Sequence, residues 1–173
     1  KKDYSLILIG RNLDNLTATK NSLDHQDEHH CISCDIRLSK DLTKALQKNR
    51  MLTCLQKFYS VKAIKSALEN GIDPGNIAVT SGSTDESLEL LKRKMAIDNQ
   101  LRFICLDVAN GYREDFLQFV RKVRKQFKDM IIIAGNIATR EMSEALILAG
   151  ADIVKVGIGP GSVCTTRKIA GVG

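Results

Sequence analysis

Seven short apolar runs recur roughly every 20 to 27 residues, and most are apolar at every position rather than at alternate ones. They are Ser5–Ile9, His30–Asp35, Met51–Gln56, Ile77–Ser81, Phe103–Val108, Met130–Ala134 and Asp152–Val156. Helical spacing fills all but the first gap, at Lys40–Lys48, Val61–Asn70, Asp85–Ile97, Arg113–Phe127 and Arg140–Ala149. Uniformly apolar strands separated by amphipathic helices predict an α/β fold, a parallel sheet covered by crossover helices. Ser60, Thr84 and Thr139 stand where N-caps belong, and Gly71 and Gly150 where helices end. Asn12 to Glu28 is polar and aperiodic and reads as a loop or arm. No internal repeat or strong domain boundary interrupts the pattern.

A chain of 173 residues is long enough for one domain that buries roughly two-thirds of its unfolded surface. No apolar run approaches the roughly 20 residues needed to cross a bilayer, and the Lys-Lys-Asp-Tyr start has no apolar signal segment. The lack of an initiator methionine fits a trimmed beginning. Five cysteines without framework spacing suit reduced thiols in the cytoplasm. Of the net charge of +6, the densest part is Arg121 to Lys128. There Phe116, Phe119, Val120, Val123 and Phe127 repeat at helical spacing, which puts the basic residues on a solvated helix face rather than on a polyanion-binding surface. Neither nucleic acid nor membrane is an expected partner.

In both open α/β sheets and (β/α)8 barrels, chemistry gathers where the strands end. Polar or glycine-rich residues stand there repeatedly: Asp35, Lys57, Ser81 to Ser83, Asp107 to Gly111, Gly135-Asn136 and the loop Gly157–Arg167. The last is the most pointed. Cys164 follows three glycines and a proline, where backbone amides can face a ligand, and it is read as a nucleophile. Cys54 and Cys105 lie inside apolar strands and are read as inert packing. Ser162 is either a phosphate ligand or a plain turn serine. Asp107 is a functional carboxylate or a loop acceptor, and Lys57 a functional or an ordinary surface lysine. His29, His30, Cys31 and Cys34 offer half of a zinc site, but no second pair follows and the segment reads as a strand. Gly-Ile-Gly-Pro-Gly fails the dinucleotide fingerprint, being followed by a cysteine loop instead of an obvious helix.

Val156-Gly-Ile-Gly-Pro-Gly-Ser-Val-Cys-Thr-Thr-Arg167, with Ala149-Gly-Ala-Asp-Ile-Val-Lys155 before it, resembles the active-site loop of the IMP dehydrogenase/GMP reductase family. Cys105-Leu-Asp-Val-Ala-Asn-Gly-Tyr112 is similar to its GMP reductase branch, and Ala134-Gly-Asn136 and Ser81-Gly-Ser83 fit the same branch. The resemblance runs from about Asp35 to Gly173 and is faint before that. It implies a (β/α)8 TIM barrel, of which residues 1–173 are the N-terminal part, with a divergent arm over 1–30 and the cysteine loop over 157–173. It implies NADPH-dependent reductive deamination of GMP to IMP and ammonia. In that scheme Cys164 forms a thioimidate, and Thr166 handles ammonia or water with a glutamate from later in the barrel. Asp107 and Lys57 lie near the nicotinamide and the leaving ammonia. Asp107, Val108, Ala109, Ile158 and Gly159 match cofactor-contacting positions, Ser162 a phosphate-contacting one, and Gly159, Gly161 and Cys164 a potassium loop. A cytoplasmic homotetramer is the implied assembly.

The departures from the family pattern are specific. Ser33-Cys-Asp-Ile36 replaces Asn-Met-Asp-Thr, and Gln56 and Phe58 replace the histidines that flank the lysine. The N-terminal Arg-Pro-rich stretch and the second half of the barrel are not in this sequence. An IMP dehydrogenase is the nearest rival, opposed by Cys105–Tyr112 and by the direct run from Lys57 to Asn76. A non-catalytic nucleotide-binding or regulatory relative is the other. A barrel part alone exposes strand edges, so instability or dependence on a partner is expected of it.

Overall fold

The computed structural model describes residues 7–10, 30–33, 52–159 and 164–172. The chain divides into two compact units, Lys1–Met51 and Leu52–Gly173. In the first, β1 (Ile7–Gly10) pairs in parallel with β2 (His30–Ser33), Ile7 opposite His30 and Gly10 opposite Ser33. The helix expected at Lys40–Lys48 and the arm over Asn12–Glu28 lie outside the described residues.

The second unit is a run of strand–helix repeats. Its strands are β3 (Thr53–Cys54), β4 (Ile77–Ser81), β5 (Phe103–Asp107), β6 (Ile131–Ile137) and β7 (Ile153–Val156). Between and after them come α1 (Val61–Glu69), α2 (Asp85–Met95), α3 (Glu114–Gln126), α4 (Arg140–Leu148) and α5 (Thr166–Ala170), with a 3-10 turn at Pro74–Asn76 before β4. All five strands are parallel and lie in chain order, β3-β4-β5-β6-β7. Right-handed crossovers in an order that never reverses place the connecting helices α1 to α4 on the same face of the sheet. That is the winding of a (β/α)8 barrel, of which this unit is a part, and not of a doubly wound sheet.

The two faces of the sheet are unequal. Ile77 and Val79 of β4, Ile104 and Leu106 of β5, and Ile132, Ala134 and Ile137 of β6 turn outward into the main core. Leu88 and Leu91 of α2, and Phe116, Val120 and Val123 of α3, meet them there. Alternation along each strand sends Ala78, Cys105 and Ile133 to the other face, where they form a small cluster with Phe103. The central strands β4, β5 and β6 read as uniformly apolar because both of their faces are covered, whereas Ile153 and Val156 of β7 are exposed.

The caps are where the sequence placed them. Ser60, Thr84 and Thr139 accept from the amides of Ala63, Ser87 and Met142, each bond replacing a solvent contact that a helix start would otherwise need. Gly150 follows α4 with φ 109°, and a Cβ there would lie 2.7 Å from Arg124 Cγ, so both the backbone and the space require glycine. Other bounds moved. β3 is only two residues long, and α3 begins after Arg113, which supplies no side-chain cap. β6 continues past Ala134 to Ile137 through a register shift between Gly135 and Ile137. A five-residue helix, α5, does follow the cysteine loop, with Gly171 in the left-handed conformation at its end. Among the described residues, no helix is long and apolar enough to cross a membrane.

Candidate active site

The strand ends of β5, β6 and β7 are laced together by backbone bonds that continue the sheet beyond its regular part. Val108 N donates to Gly135 O at 2.9 Å, Asn136 N returns to Val108 O at 2.9 Å, and Gly111 N reaches Asn136 O at 2.8 Å. Tyr112 accepts from Ala138 N through its hydroxyl at 2.9 Å, and Asn110 Oδ1 accepts from Tyr112 N at 2.9 Å. On the other side Gly157 N donates to Ile137 O at 2.7 Å, and Asn136 Nδ2 donates to Gly157 O at 2.8 Å. The segments 107–112, 135–138 and 157 thus form one hydrogen-bonded shelf.

Asp107 stands on that shelf and ion-pairs with Lys155. The two lie on β5 and β7, with Gly135 of β6 between them in register. A Cβ on Gly135 would sit 2.7 Å from Lys155 Cβ, so glycine is what lets the lysine cross. The sequence left Asp107 without a partner. Lys155 was legible only as a single charge inside Ile153–Val156, on the face that alternation also gives to Asp107.

Cys164 is exposed, with Sγ 3.2 Å from Thr166 Oγ1 at the start of α5. The thiol donates to that oxygen; once ionised, it accepts from the hydroxyl instead. That hydrogen bond, then one from the Thr166 backbone, lowers the Cys164 pKa, and the Arg167 charge adds to it. The loop closes tightly on its own start, since a Cβ on Gly159 would meet both Cys164 Sγ and the Arg167 backbone N at 3.3 Å. Gly161 and Ser162 lie outside the described residues.

Other expected residues fall as follows. Val108 is half-buried, Ala109 exposed and Gly159 half-buried, while Ile158 is buried, so a ligand would meet Ile158 through its backbone. Lys57 is half-buried just after β3; its ammonium lies 5.4 Å from the centroid of the Phe58 ring. It forms no ion pair among the described residues, and nothing joins it directly to Asp107 or Cys164. Of Ser81 to Ser83, Ser81 is engaged with the start of α2, its Oγ donating to Ser87 O at 3.2 Å. Asp35 and the Cys34 end of the half zinc site lie outside the described residues, while His30–Ser33 form a strand as expected. Among the described residues no three or more His, Cys, Asp or Glu side chains gather to hold a metal.

Cys54 corrects the sequence reading. Cys105 is buried and fits inert packing, but Cys54 is exposed. Cys105 donates its S–H to the Cys54 sulfur, which with the Lys155 charge outweighs burial and holds the Cys54 thiol at about 7. Cys105, as the donor and as a buried group, is pushed well up. The apolar neighbours in sequence concealed this, because they do not show that β3 is the edge strand of its sheet, paired on one side with β4.

Residues 45–173 match the family model described as IMP dehydrogenase / GMP reductase domain. The chain belongs to this family. It is 47% identical over 139 residues to a GMP reductase of Vibrio parahaemolyticus, across 78% of this chain and 39% of that protein. A GMP reductase of Caenorhabditis elegans is 48% identical over 135 residues, 77% of this chain and 38% of the relative. GMP reductase 2 of Bos taurus is 48% identical over 134 residues, with 77% and 38% covered. The chain therefore spans about two-fifths of the length of these curated relatives.

Among solved structures, an inosine 5'-monophosphate dehydrogenase from Legionella pneumophila superposes with TM-score 0.60 at 30% identity, over 69% of this chain and 36% of that one. A variant GMP reductase from Trypanosoma brucei, in complex with guanosine 5'-monophosphate, gives TM-score 0.51 at 33% identity, over 56% and 20%. The family is shared, and the barrel with it.

Proposed function

We propose that this chain carries the cysteine loop of a GMP reductase that converts GMP to IMP and ammonia. The observation that carries the reading is Cys164, exposed beside Thr166 Oγ1 at 3.2 Å and lowered in pKa by it, on the loop after β7. The 46–48% identity to curated reductases supports the reductase over the dehydrogenase reading.

Cys164 Sγ adds as thiolate to C2 of the purine, and the 2-amino group leaves as ammonia after taking up a proton, which leaves a thioimidate on the sulfur. Thr166, already bonded to that sulfur, is placed to guide the departing ammonia, together with a glutamate from outside this sequence. NADPH, when bound, supplies the hydride that reduces C2 and frees IMP and the thiolate. The donor set on the shelf fits a nicotinamide: Asp107 can accept from a carboxamide NH2 while Lys155 donates to its carbonyl. Val108, Ala109, Ile158 and Gly159 would border it, and Lys57 would lie near the leaving ammonia. Ser162 would hold the substrate phosphate, and Gly159, Gly161 and Cys164 a potassium ion. The reading includes a cytoplasmic homotetramer, with residues 1–173 as part of one barrel domain.

The test is NADPH absorbance on addition of GMP to the full-length protein. Oxidation that disappears in Cys164→Ala is the expected result. Retained GMP binding without oxidation would instead establish the non-catalytic reading, and oxidation undiminished in Cys164→Ala would remove the nucleophile.

A further inference from the structure

Lys94 lies in the last turn of α2, beside Lys92 and Arg93, yet it does not share their surroundings. Lys92 pairs with Glu89 at the surface, whereas Lys94 is 2% exposed. Its ammonium donates to Lys57 O at 3.0 Å and to Thr80 O at 3.5 Å. No carboxylate pairs with it among the described residues, and burial lowers its pKa.

This is a costly arrangement for packing alone. An ammonium taken out of water loses several kcal/mol of hydration, on the order of what only good partners restore, and two carbonyls restore part. A methionine would fill much the same space without that cost, and buried charges can often be replaced by apolar residues of similar volume with no loss of stability. Filling the gap between α2 and β4 therefore does not account for the lysine.

The carbonyl it grips explains more. Lys57 O belongs to the turn that leaves β3, the shortest strand of the sheet. Among the described residues, ties of that turn are few: Leu55 N donates to Ala78 O at 2.9 Å before it, and Tyr59 N to Gln56 O at 3.1 Å within it. The Lys94 bond joins it to an element 37 residues away. Lys57 is thus held through its backbone carbonyl, while its ammonium lies 5.4 Å from the centroid of the Phe58 ring, which is 78% exposed.

We infer that Lys94 is a positioning residue, which pins the Lys57–Phe58 turn so that the Lys57 ammonium keeps its place at the strand ends. The role of Lys57 in turnover rests on the reaction proposed above; the pin itself does not.

The experiment has two arms, both on the full-length protein. In the first, hydrogen exchange is followed in Lys94→Met. The amide of Tyr59, bonded to Gln56 O across the turn, is expected to exchange roughly tenfold faster while α3 and β5 remain protected, and Lys94→Gln, which keeps a donor, should recover part of the protection. Unchanged exchange in both variants overturns the pin. Uniform loss of protection overturns it as well, because it marks Lys94 as general packing.

The second arm is a double-mutant cycle on turnover. Lys94→Met should lower kcat about tenfold or more with KM for GMP nearly constant, and should add almost nothing in a Lys57→Ala background. Additive losses would show that Lys94 does not act through Lys57, and would overturn the inference. A wild-type protein that oxidises no NADPH rejects the proposed reaction instead, and exchange then decides the pin.

Discussion

Asp107 and Lys155 ion-pair from β5 to β7 across the bare backbone of Gly135, which lies between them in register. Their side chains are 40% and 30% exposed, so the pair is worth at most about 1 kcal/mol to folding. Under the proposed reaction its value is in placing an acceptor and a donor together at the strand ends. Lys155→Met is therefore expected to leave the urea midpoint almost unchanged while lowering kcat/KM for NADPH by about a hundredfold. A large fall in stability with little change in kinetics would show the pair to be structural.

Gly135→Ala tests the same crossing from below. The added methyl would lie 2.5 Å from Lys155 O and 2.7 Å from its Cβ, and backbone on one side cannot swing away. Overpacking of this kind costs about 1–3 kcal/mol. Denaturant melts should show that loss, and Lys155→Gly in the same background should not fully repair it, since the carbonyl remains.

Arg124 was legible as one more charge of a solvated helix face, and the structure gives it a different task. Its guanidinium donates to Gly150 O at 2.9 Å, Lys128 O at 2.9 Å and Met130 O at 2.8 Å, and it pairs with Asp152. Asp152 in turn accepts from Ile132 N at 2.7 Å. One side chain thus closes the turns before β6 and β7. Arg124→Ala should destabilise by about 2–4 kcal/mol in urea unfolding, because several carbonyls lose their donor at once. Arg124→Lys should recover less than half, since a point ammonium cannot serve a forked set of acceptors.

What was legible in the sequence was local. Helices α1, α2 and α4 start where Ser60, Thr84 and Thr139 predict, because a cap acts over three residues. The strands showed themselves by composition, since burial on both faces leaves no polar alternation. What escaped was relational. Lys155 could be matched to Asp107 only through the register of three strands, and Lys94 to Lys57 only through packing across 37 residues. Helix α5 is too short for a period to be visible, and Cys54 sits on the edge strand of its sheet, a position that its apolar neighbours in sequence do not reveal.

Cys54 and Cys105 should be separable by alkylation. With its sulfur accepting from Cys105, Cys54 is held at about 7, so iodoacetamide labelling there should rise with pH through a midpoint near neutrality. Buried Cys105 should resist throughout. In Cys105→Ala the donor is lost, and the Cys54 midpoint should climb toward the ordinary thiol value of about 8.5. Mass spectrometry of the peptides reads both; a Cys54 midpoint indifferent to Cys105 would mean that the hydrogen bond from Cys105 does not set the Cys54 thiol.

The reactivity of Cys164 should depend on Thr166 in a definite direction. A hydroxyl that donates to the thiolate favours the ionised form, so the folded pKa lies below the ordinary thiol value. The thiolate is then lost only as pH falls through that lowered value, and the acid limb of the labelling or turnover profile sits correspondingly low. Thr166→Val removes the donor but keeps the shape. Its acid limb should shift upward, so the variant is less active than wild type on the acid side and recovers as pH rises. Thr166→Ser, which retains the hydroxyl, should leave the limb close to wild type. If valine and serine gave the same limb, the hydroxyl would not be what sets the thiol, and Arg167 would become the group to test.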